Sequence, residues 1–217
     1  MDLEPYRPVR WPDGPRRPLP ARNVPLPVDL SSLLEERQTR RHFSSEISDT
    51  DLGDLLWLTC RSRSSRPSPF GPDQESRPHP SAGAMHPIHV LVSRRDDPWE
   101  RYDSVEHALV QILDSHENAA QIRRAAGELV EVEQGVLIAL VAEPGKTAAK
   151  YENPESLVWR DAGVVLGYIS IIAEALALPF CPLGITADKH LANLAPSPGR
   201  LHGAALAVLG GTASARS

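Results

Sequence analysis

The 217-residue chain has only two cysteines, Cys60 and Cys181, and few aromatic side chains, which make up 5% of the sequence. Two cysteines cannot form the disulfide framework of a small secreted domain, so we expect a reducing, cytoplasmic environment. The chain also lacks an excess of basic residues, because its formal net charge is -5 at pH 7. This charge argues against a nucleic-acid-binding surface, which would be basic.

Long hydrophobic runs are absent as well. The longest apolar stretch, around residues 164–178, is interrupted by Tyr168, Ser170 and Glu174, so it predicts a buried core helix rather than a membrane span. The first residues contain no apolar run, and we therefore expect neither a signal peptide nor a membrane partner. The hydrophobic share of 41% and the charged share of 24% are ordinary for a folded domain. The length fits one domain, or one subunit of an intimate dimer.

Proline is unevenly distributed and divides the chain into three segments. Residues 1–28 carry many of the 21 prolines without hydrophobic periodicity. Such a segment does not form regular structure alone, so it is predicted to be an extended arm or a disordered tail. Residues 29–212 contain the periodic patterns and are predicted to form a single domain without internal repeats. Residues 213–217 are expected to form a C-terminal tail.

Helical and strand-like patterns alternate within the central segment and predict an α+β fold. Helices are predicted at residues 30–37, 52–59, 105–113, 119–130, 154–178 and 188–194. Strands are predicted at residues 89–93, 135–141 and 204–209, the second being buried on both faces. Capping signals stand at Ser32 with Glu35, Ser48 with Asp51, and Asn153 with Pro154. Residues 61–80 are rich in Arg, Ser and Pro and are predicted to form a long loop, which in a compact domain tends to be functional or mobile.

The segment 37–43 is the clearest candidate for a binding site. Arg37, Thr39 and Arg41 alternate directly after the first predicted helix. A guanidinium is a planar fork of donors that matches phosphate oxygens, and a hydroxyl adds a neutral donor. The pattern is therefore typical of a phosphate-monoester site. The same composition also suits a turn that is exposed to solvent. Other motifs in the chain are needed to distinguish a phosphate site from such a turn.

Two further motifs combine small residues with proline. The segment 80–87, Pro-Ser-Ala-Gly-Ala-Met-His-Pro, lets its backbone pass close to a flat ligand, and Ser81 can donate to a heteroatom. The segment 181–184, Cys-Pro-Leu-Gly, follows the longest predicted helix and can present backbone amides to a ligand edge. Each motif is equally consistent with a plain turn.

Lys150 and Tyr151 stand next to each other just before the longest predicted helix. In a closed pocket, burial lowers the pKa of a lysine towards neutrality, so such a pair can serve as a general base with a hydroxyl partner. On an open surface the same pair has no chemical role.

Taken in this order, the motifs resemble the nitroreductase-like flavoprotein family over about residues 24–212. The resemblance rests on the spacing of Arg-x-Thr-x-Arg-x-Phe, Pro-Ser-Ala-Gly-Ala-Met-His-Pro and Cys-Pro-Leu-Gly. Within the family, Lys150–Tyr151 looks like the pair of the SagB-type azoline dehydrogenases, which oxidise thiazolines and oxazolines in modified peptides. The resemblance implies a nitroreductase-like α+β fold, in which helices flank a central, mostly antiparallel sheet and two chains form an intertwined homodimer.

The resemblance also implies FMN as the cofactor, bound at the dimer interface. Arg37 and Thr39 would hold the FMN phosphate, and Arg41 would reach the ribityl chain or the pyrimidine edge of the flavin. The other implied contacts are an isoalloxazine lining of Pro80, Ser81, Ala82 and Gly83, backbone amides of Leu183 and Gly184 near flavin N5, and Arg216 closing on the phosphate.

Aromatising an azoline removes a carbon-bound proton and delivers a hydride to flavin N5. The resemblance therefore implies Lys150 as the base and Tyr151 as its orienting or proton-relaying neighbour. No separate peptide-binding domain is visible, so a cyclodehydratase or another partner protein would present the peptide. Two alternatives remain open. One is an NAD(P)H-dependent nitro- or quinone reductase, which needs no such base, and the other is a non-catalytic scaffold subunit of a peptide-modifying complex.

Overall fold

A seven-stranded antiparallel sheet organises the fold. The structure is a computed structural model, and it describes residues 5–22, 26–95 and 97–211. The strands are β1 (Asp13–Pro18), β2 (Ser64–Arg66), β3 (Gln74–Ser76), β4 (Ile88–Ser93), β5 (Glu100–Asp103), β6 (Ala108–Ile112), β7 (Val136–Ala142), β8 (Phe180–Pro182) and β9 (His202–Leu209). Strands β2 and β3 form a separate hairpin, and the others lie in the order β1-β6-β5-β4-β7-β9-β8. Every neighbouring pair in this sheet is antiparallel.

The helices found in the described residues are α1 (Leu30–Glu36), α2 (Asp49–Cys60), α3 (His116–Gly127), α4 (Pro144–Ala148), α5 (Glu155–Ala175) and α6 (Asp188–Leu191). Ser48 caps α2 as predicted, because its hydroxyl accepts a hydrogen bond from the Asp51 N–H at 3.0 Å. The capping roles predicted for Ser32 and Asn153 are wrong. Asp29 caps α1, since Ser32 already lies inside that helix, and Pro154 precedes α5 without a side-chain cap.

The sheet has a hydrophobic core on each face. Along β7, alternate side chains enter the two cores, as the two-residue period of a strand requires. Helices α2 and α5 cover one face, and α3 and α6 cover the other. Every residue of β7 is buried, so the prediction of a strand buried on both faces is confirmed.

Helix α5 packs across the sheet but leaves one side uncovered. Its buried residues include Val158, Val165 and Ile169, whereas Trp159 is 51% exposed and the glycines 163 and 167 lie at the surface. The helix is long and apolar enough to cross a membrane by composition alone, with 33% of its most apolar window buried. We interpret it as the core helix of this fold, as predicted, with a second apolar side that lies open in the single chain.

Two predictions concern the edge of the sheet. For residues 1–28 an extended arm or a disordered tail was predicted, and part of this segment is the extended strand β1, which pairs with β6. Its prolines are compatible with this place because an edge strand does not need all of its donors. Residues 105–113 were predicted as a helix, but they form a turn followed by β6. Val105 and Leu113, which completed the apparent helical pattern, are exposed.

The segment 61–80 is not a plain loop, because it contains the β2–β3 hairpin. Polar contacts attach this hairpin to the domain: the His86 ring nitrogen Nε2 lies 2.9 Å from the Glu75 carbonyl, and the Ser62 N–H donates to the Ser104 carbonyl. The hairpin therefore has a fixed place beside the Pro-Ser-Ala-Gly segment.

Candidate functional site

The segment 37–41 is attached to the C-terminal end of α5. Arg40 forms an ion pair with Glu174 on that helix, and its N–H donates to the Phe180 carbonyl of β8 at 3.1 Å. Arg37 is half-buried and Arg41 is exposed. Within the described ranges, neither of these two guanidiniums pairs with a carboxylate. The charge of Arg41 opposes the rise that burial causes in the pKa of the Cys181 thiol, which places this charge near β8.

The Leu183–Gly184 segment lies directly after β8. The Leu183 N–H donates to the Leu206 carbonyl at 2.8 Å, so this amide is already used by the sheet. Gly184 is exposed, and a Cβ at its position would have no heavy atom within 4 Å. Of the two predicted backbone amides, that of Leu183 is therefore used by the sheet, whereas Gly184 is at the surface.

A buried carboxylate on α5 holds the Ser81–Gly83 segment. The Ser81 hydroxyl donates to Asp161 Oδ2 at 2.6 Å, and the Ala82 N–H donates to Asp161 Oδ1 at 3.1 Å. Ser81 Oγ also accepts from the His86 N–H at 3.0 Å. Burial raises the pKa of Asp161, and the two hydrogen bonds that it accepts oppose this rise. In this chain the Ser81 hydroxyl hydrogen is committed to Asp161, whereas the sequence suggested a donor aimed at a ligand. Pro80 precedes this segment and is exposed.

The Lys150–Tyr151 pair lies against Gly83. Gly83 has a φ of 60°, and a Cβ added there would lie 2.7 Å from Tyr151 Oη and 2.8 Å from Lys150 Nζ. The Gly83 carbonyl accepts from Lys150 Nζ at 3.4 Å and from Gln74 Nε2 at 3.1 Å. Lys150 Nζ also lies 5.3 Å from the centroid of the Phe70 ring. Lys150 and Tyr151 are half-buried, so the pair is ordered by its contacts while it remains reachable.

The buried lysine of this region is Lys146, one turn earlier on α4. Its ammonium donates to the His86 carbonyl at 3.0 Å. Burial lowers its pKa to about 8, and the charge of Arg77 acts in the same direction. Lys146 packs inside the protein, and no pattern in the sequence predicted its burial. Next to it, the buried Glu143 accepts from the Val9 N–H at 2.6 Å and from the Tyr6 hydroxyl at 2.9 Å, which fixes the N-terminal arm on α4.

The structure brings the predicted residues together in two groups. One group contains Arg37, Thr39 and Arg41, in a segment whose Gln38 and Arg40 contact Glu174. Gly184 follows β8, the strand to which this segment is hydrogen-bonded. The other group contains Ser81, Gly83, Lys150 and Tyr151 and lies near Asp161. Helix α5 carries both of these acids, and at about 1.5 Å per residue they are about 20 Å apart along its axis. Within one chain, the two groups therefore lie at different ends of the same helix.

Two further observations complete the description. Arg216, predicted to close on a phosphate, lies outside the described residues. Among the residues that the structure does describe, no group of three or more His, Cys, Asp or Glu side chains is placed to hold a metal ion.

The model of the nitroreductase family matches residues 34–210 of this chain, and this range includes both groups of residues. The chain belongs to the nitroreductase family. The predicted nitroreductase-like fold, an antiparallel sheet flanked by helices, is thereby confirmed. No curated protein is similar enough to this family member to give a match.

Solved structures support the same fold. A protein from Ralstonia eutropha JMP134 that is assigned as a nitroreductase has a TM-score of 0.70 and 18% identity, covering 97% of this chain and 98% of that one. A chain in the E. coli microcin synthetase McbBCD complex, solved with truncated pro-MccB17 bound, has a TM-score of 0.60 and 16% identity, with 89% and 76% covered. A Desulfovibrio desulfuricans protein assigned as a nitroreductase, solved with FMN, has a TM-score of 0.54 and 20% identity, with 87% and 91% covered.

Proposed function

We propose that this nitroreductase-family flavoprotein is an FMN-dependent dehydrogenase that oxidises azolines to azoles in a ribosomally made, modified peptide. FMN is the cofactor of this oxidoreductase, an assignment supported by the family match and by the neighbour solved with FMN. When bound, FMN would supply the two-electron acceptor for the substrate hydride, with dioxygen as the final oxidant. The observation that carries the proposal is the placement of Lys150 and Tyr151 over Gly83.

The side chains present suit the phosphate of FMN. Arg40 is engaged by Glu174, while Arg37 and Arg41 keep their charges available on either side of the Thr39 hydroxyl. Two guanidiniums and a hydroxyl match the donors that a phosphate monoester takes. Arg37 and Thr39 would hold the phosphate, and Arg41 would reach the ribityl chain or the pyrimidine edge.

A homodimer would bring the two groups of residues to one flavin. Because the groups lie at opposite ends of α5, a second chain running antiparallel along that helix would place one chain's Arg37 group beside the other chain's Gly83 group. The open side of α5 carries Trp159, Gly163 and Gly167, and neither glycine has a heavy atom within 4 Å of an added Cβ. An apolar side lined by small residues is suited to close helix contact, and a two-fold axis would use it twice.

Lys150 is proposed as the base for the carbon-bound proton of the azoline. Its Nζ would accept that proton, and the contacts with the Gly83 carbonyl and the Phe70 ring keep the side chain in place. Tyr151 lies beside the same glycine and would orient the amine or relay the proton. A positioned general base contributes about 10²–10⁴-fold to such a step.

The proposal of a peptide substrate is supported by the Lys150–Tyr151 pair and by one structurally similar protein. The McbBCD complex is described as a microcin synthetase with a truncated pro-peptide bound, and a chain of it shares this fold. That likeness supports a peptide substrate for this protein, presented by a cyclodehydratase or another partner. The predicted cytoplasmic location stays a prediction.

Anaerobic mixing of the purified protein with a synthetic thiazoline peptide tests the proposal. We expect the flavin absorbance to bleach, the peptide to lose two hydrogens by mass, and the colour to return when air is admitted. Bleaching by NAD(P)H but not by the peptide would instead identify a nitro- or quinone reductase. A colourless preparation that cannot be loaded with FMN would identify a scaffold subunit.

A further inference from the structure

The β2–β3 hairpin forms one wall of a groove that ends at the candidate site. The groove has a volume of about 390 Å³ and is lined by residues 64–66 of β2, residues 74–76 of β3 and Ala84. Its charged lining residues are Arg66 and Glu75, and Glu75 is paired with Arg77. Ala84 follows Gly83, whose carbonyl is held by Gln74 of β3 and by Lys150. A ligand that lies along the hairpin would therefore come close to Gly83 and to the Lys150 amine that contacts it.

The segment 61–77, which contains the hairpin, has four arginines and two acids, so it is locally positive. Within the described residues, Arg61 and Arg63, which precede β2, and Arg66 on β2 donate to the neutral oxygens of Trp57, Arg77 and Gln74. No carboxylate pairs with any of these three within residues 5–22, 26–95 and 97–211. By contrast, Arg77 on the same hairpin pairs with Glu75 at 3.0 Å. In a protein with a net charge of -5, this cluster is a local positive patch.

The backbone of the hairpin favours an extended ligand. All three residues of β2 are exposed, and β3 is the strand partner found for it in the described chain. The outer edge of such a strand presents unpaired N–H and C=O groups, to which an extended peptide can add as a further strand. A ligand with acidic side chains would complement the arginines along the same edge.

We propose that this groove binds an extended, acidic segment of the substrate peptide and guides the attached azoline to Lys150. The proposal rests on the proposed function for the identity of the peptide. The acidic segment would pair with Arg63 and Arg66, and its backbone would run along β2. Because the charges are exposed, the interaction weakens as salt rises.

Fluorescence anisotropy tests the groove directly. The probe is a labelled ten-residue peptide of alternating Glu and Ser, compared with counterparts that carry Gln or Lys in place of Glu. We expect the Glu peptide to bind the FMN-loaded protein and the Gln peptide to bind about tenfold more weakly, since each exposed pair contributes modestly. The double variant Arg63→Glu/Arg66→Glu is expected to lose binding of the Glu peptide and to gain binding of the Lys peptide.

The controls separate the groove from general charge and from the proposed function. Arg124→Glu removes an exposed arginine on α3, away from the hairpin, and is expected to leave binding of the Glu peptide unchanged. Arg66→Gln, which keeps a hydrogen-bonding side chain, should weaken binding in the same direction if the double variant fails to fold. Equal affinity for the Glu and Gln peptides overturns the proposal, as does tighter binding of labelled single-stranded DNA. Oxidation of an uncharged azoline by the parent protein tests the proposed function separately from these results.

Discussion

The Gly83 carbonyl accepts a hydrogen bond from Lys150 Nζ at 3.4 Å, and the same glycine leaves the space in which the Lys150–Tyr151 pair lies. This relationship joins two motifs that are far apart in the sequence. A larger residue at this position would displace the pair, because an added Cβ would meet the ends of both side chains.

Replacing Gly83 with alanine should displace the pair. The left-handed backbone conformation at φ 60° costs about 1–2 kcal/mol for any residue with a Cβ. Gly199 has a φ of 73° but nothing within 4 Å of an added Cβ, so Gly199→Ala carries the same strain without the collision. We expect similar losses in the free energy of unfolding for both variants. Only Gly83→Ala should also lose azoline turnover, and equal turnover in the two variants would contradict the assignment.

Arg37→Ala should purify with much less flavin than the parent. Losing one charge-assisted partner of a phosphate costs about 1.5–3 kcal/mol. The control is Arg40→Ala, in the same segment, which breaks the ion pair with Glu174 and should lower stability while the flavin stays bound. The measurement is the FMN dissociation constant from fluorescence titration of the apoprotein. If Arg37→Ala binds FMN as tightly as the parent, the phosphate assignment is wrong.

Gly167→Leu tests the dimer. In the single chain nothing lies within 4 Å of a Cβ at this position, and replacing glycine in an exposed helix favours helix formation by up to about 1 kcal/mol. A monomer would therefore tolerate the change, whereas a partner chain packed against α5 would not. We expect sedimentation to show dissociation together with loss of flavin. Ala125→Leu, on the exposed side of α3, should remain dimeric, and a dimeric, flavin-loaded Gly167→Leu protein would remove α5 from the interface.

Stability should fall in mild acid. Burial lowers the pKa of His86 to about 3 and the pKa values of His79 and His89 to about 4. As the pH falls below about 6.5, the unfolded chain binds protons that the folded protein does not, so the free energy of unfolding decreases towards pH 4.

Urea unfolding of His86→Gln measures how much one of these histidines contributes to the loss of stability in acid. The glutamine amide can still donate to the Glu75 carbonyl but does not titrate. Between pH 7 and 4.5, we expect the free energy of unfolding to fall by about 2–3 kcal/mol less in the variant than in the parent. His116→Gln, at an exposed position on α3, should follow the parent. Identical pH profiles for the parent and His86→Gln would exclude this cause of acid sensitivity.

The sequence predicted the central elements because their patterns are long and uniform. The continuous apolar run of β7 predicts a buried strand, and the long apolar run of α5 predicts a core helix. The helix predicted at residues 105–113 failed because Val105, Leu109 and Ile112 have helical spacing, although β6 buries only the last two of them. Strand β1 was missed because its prolines suggest irregular structure, and only pairing with β6 shows that an edge strand tolerates them.

The residues of the candidate site were predicted from local motifs. The residues that hold these motifs in place were not predicted. Asp161 and Gln74 contact the Ser81–Gly83 segment, yet no spacing in the sequence connects them with it. A signal for Asp161 did exist, because an acid inside an apolar helix is rarely buried without a partner. The separation of the two groups along α5 depends on tertiary structure and could not be predicted from the sequence.

The most direct test of the account is single-turnover flavin reduction by a thiazoline peptide, measured anaerobically for the parent and for Lys150→Ala. We predict that the variant keeps its FMN and its fold but reduces the flavin about 10²–10⁴-fold more slowly, because the substrate proton has lost its acceptor. Reduction by dithionite should be unchanged in the variant, and Lys189→Ala, on α6 at the surface, should match the parent with the peptide. Equal rates for the parent and Lys150→Ala would contradict the account and remove the case for an azoline dehydrogenase over a generic reductase.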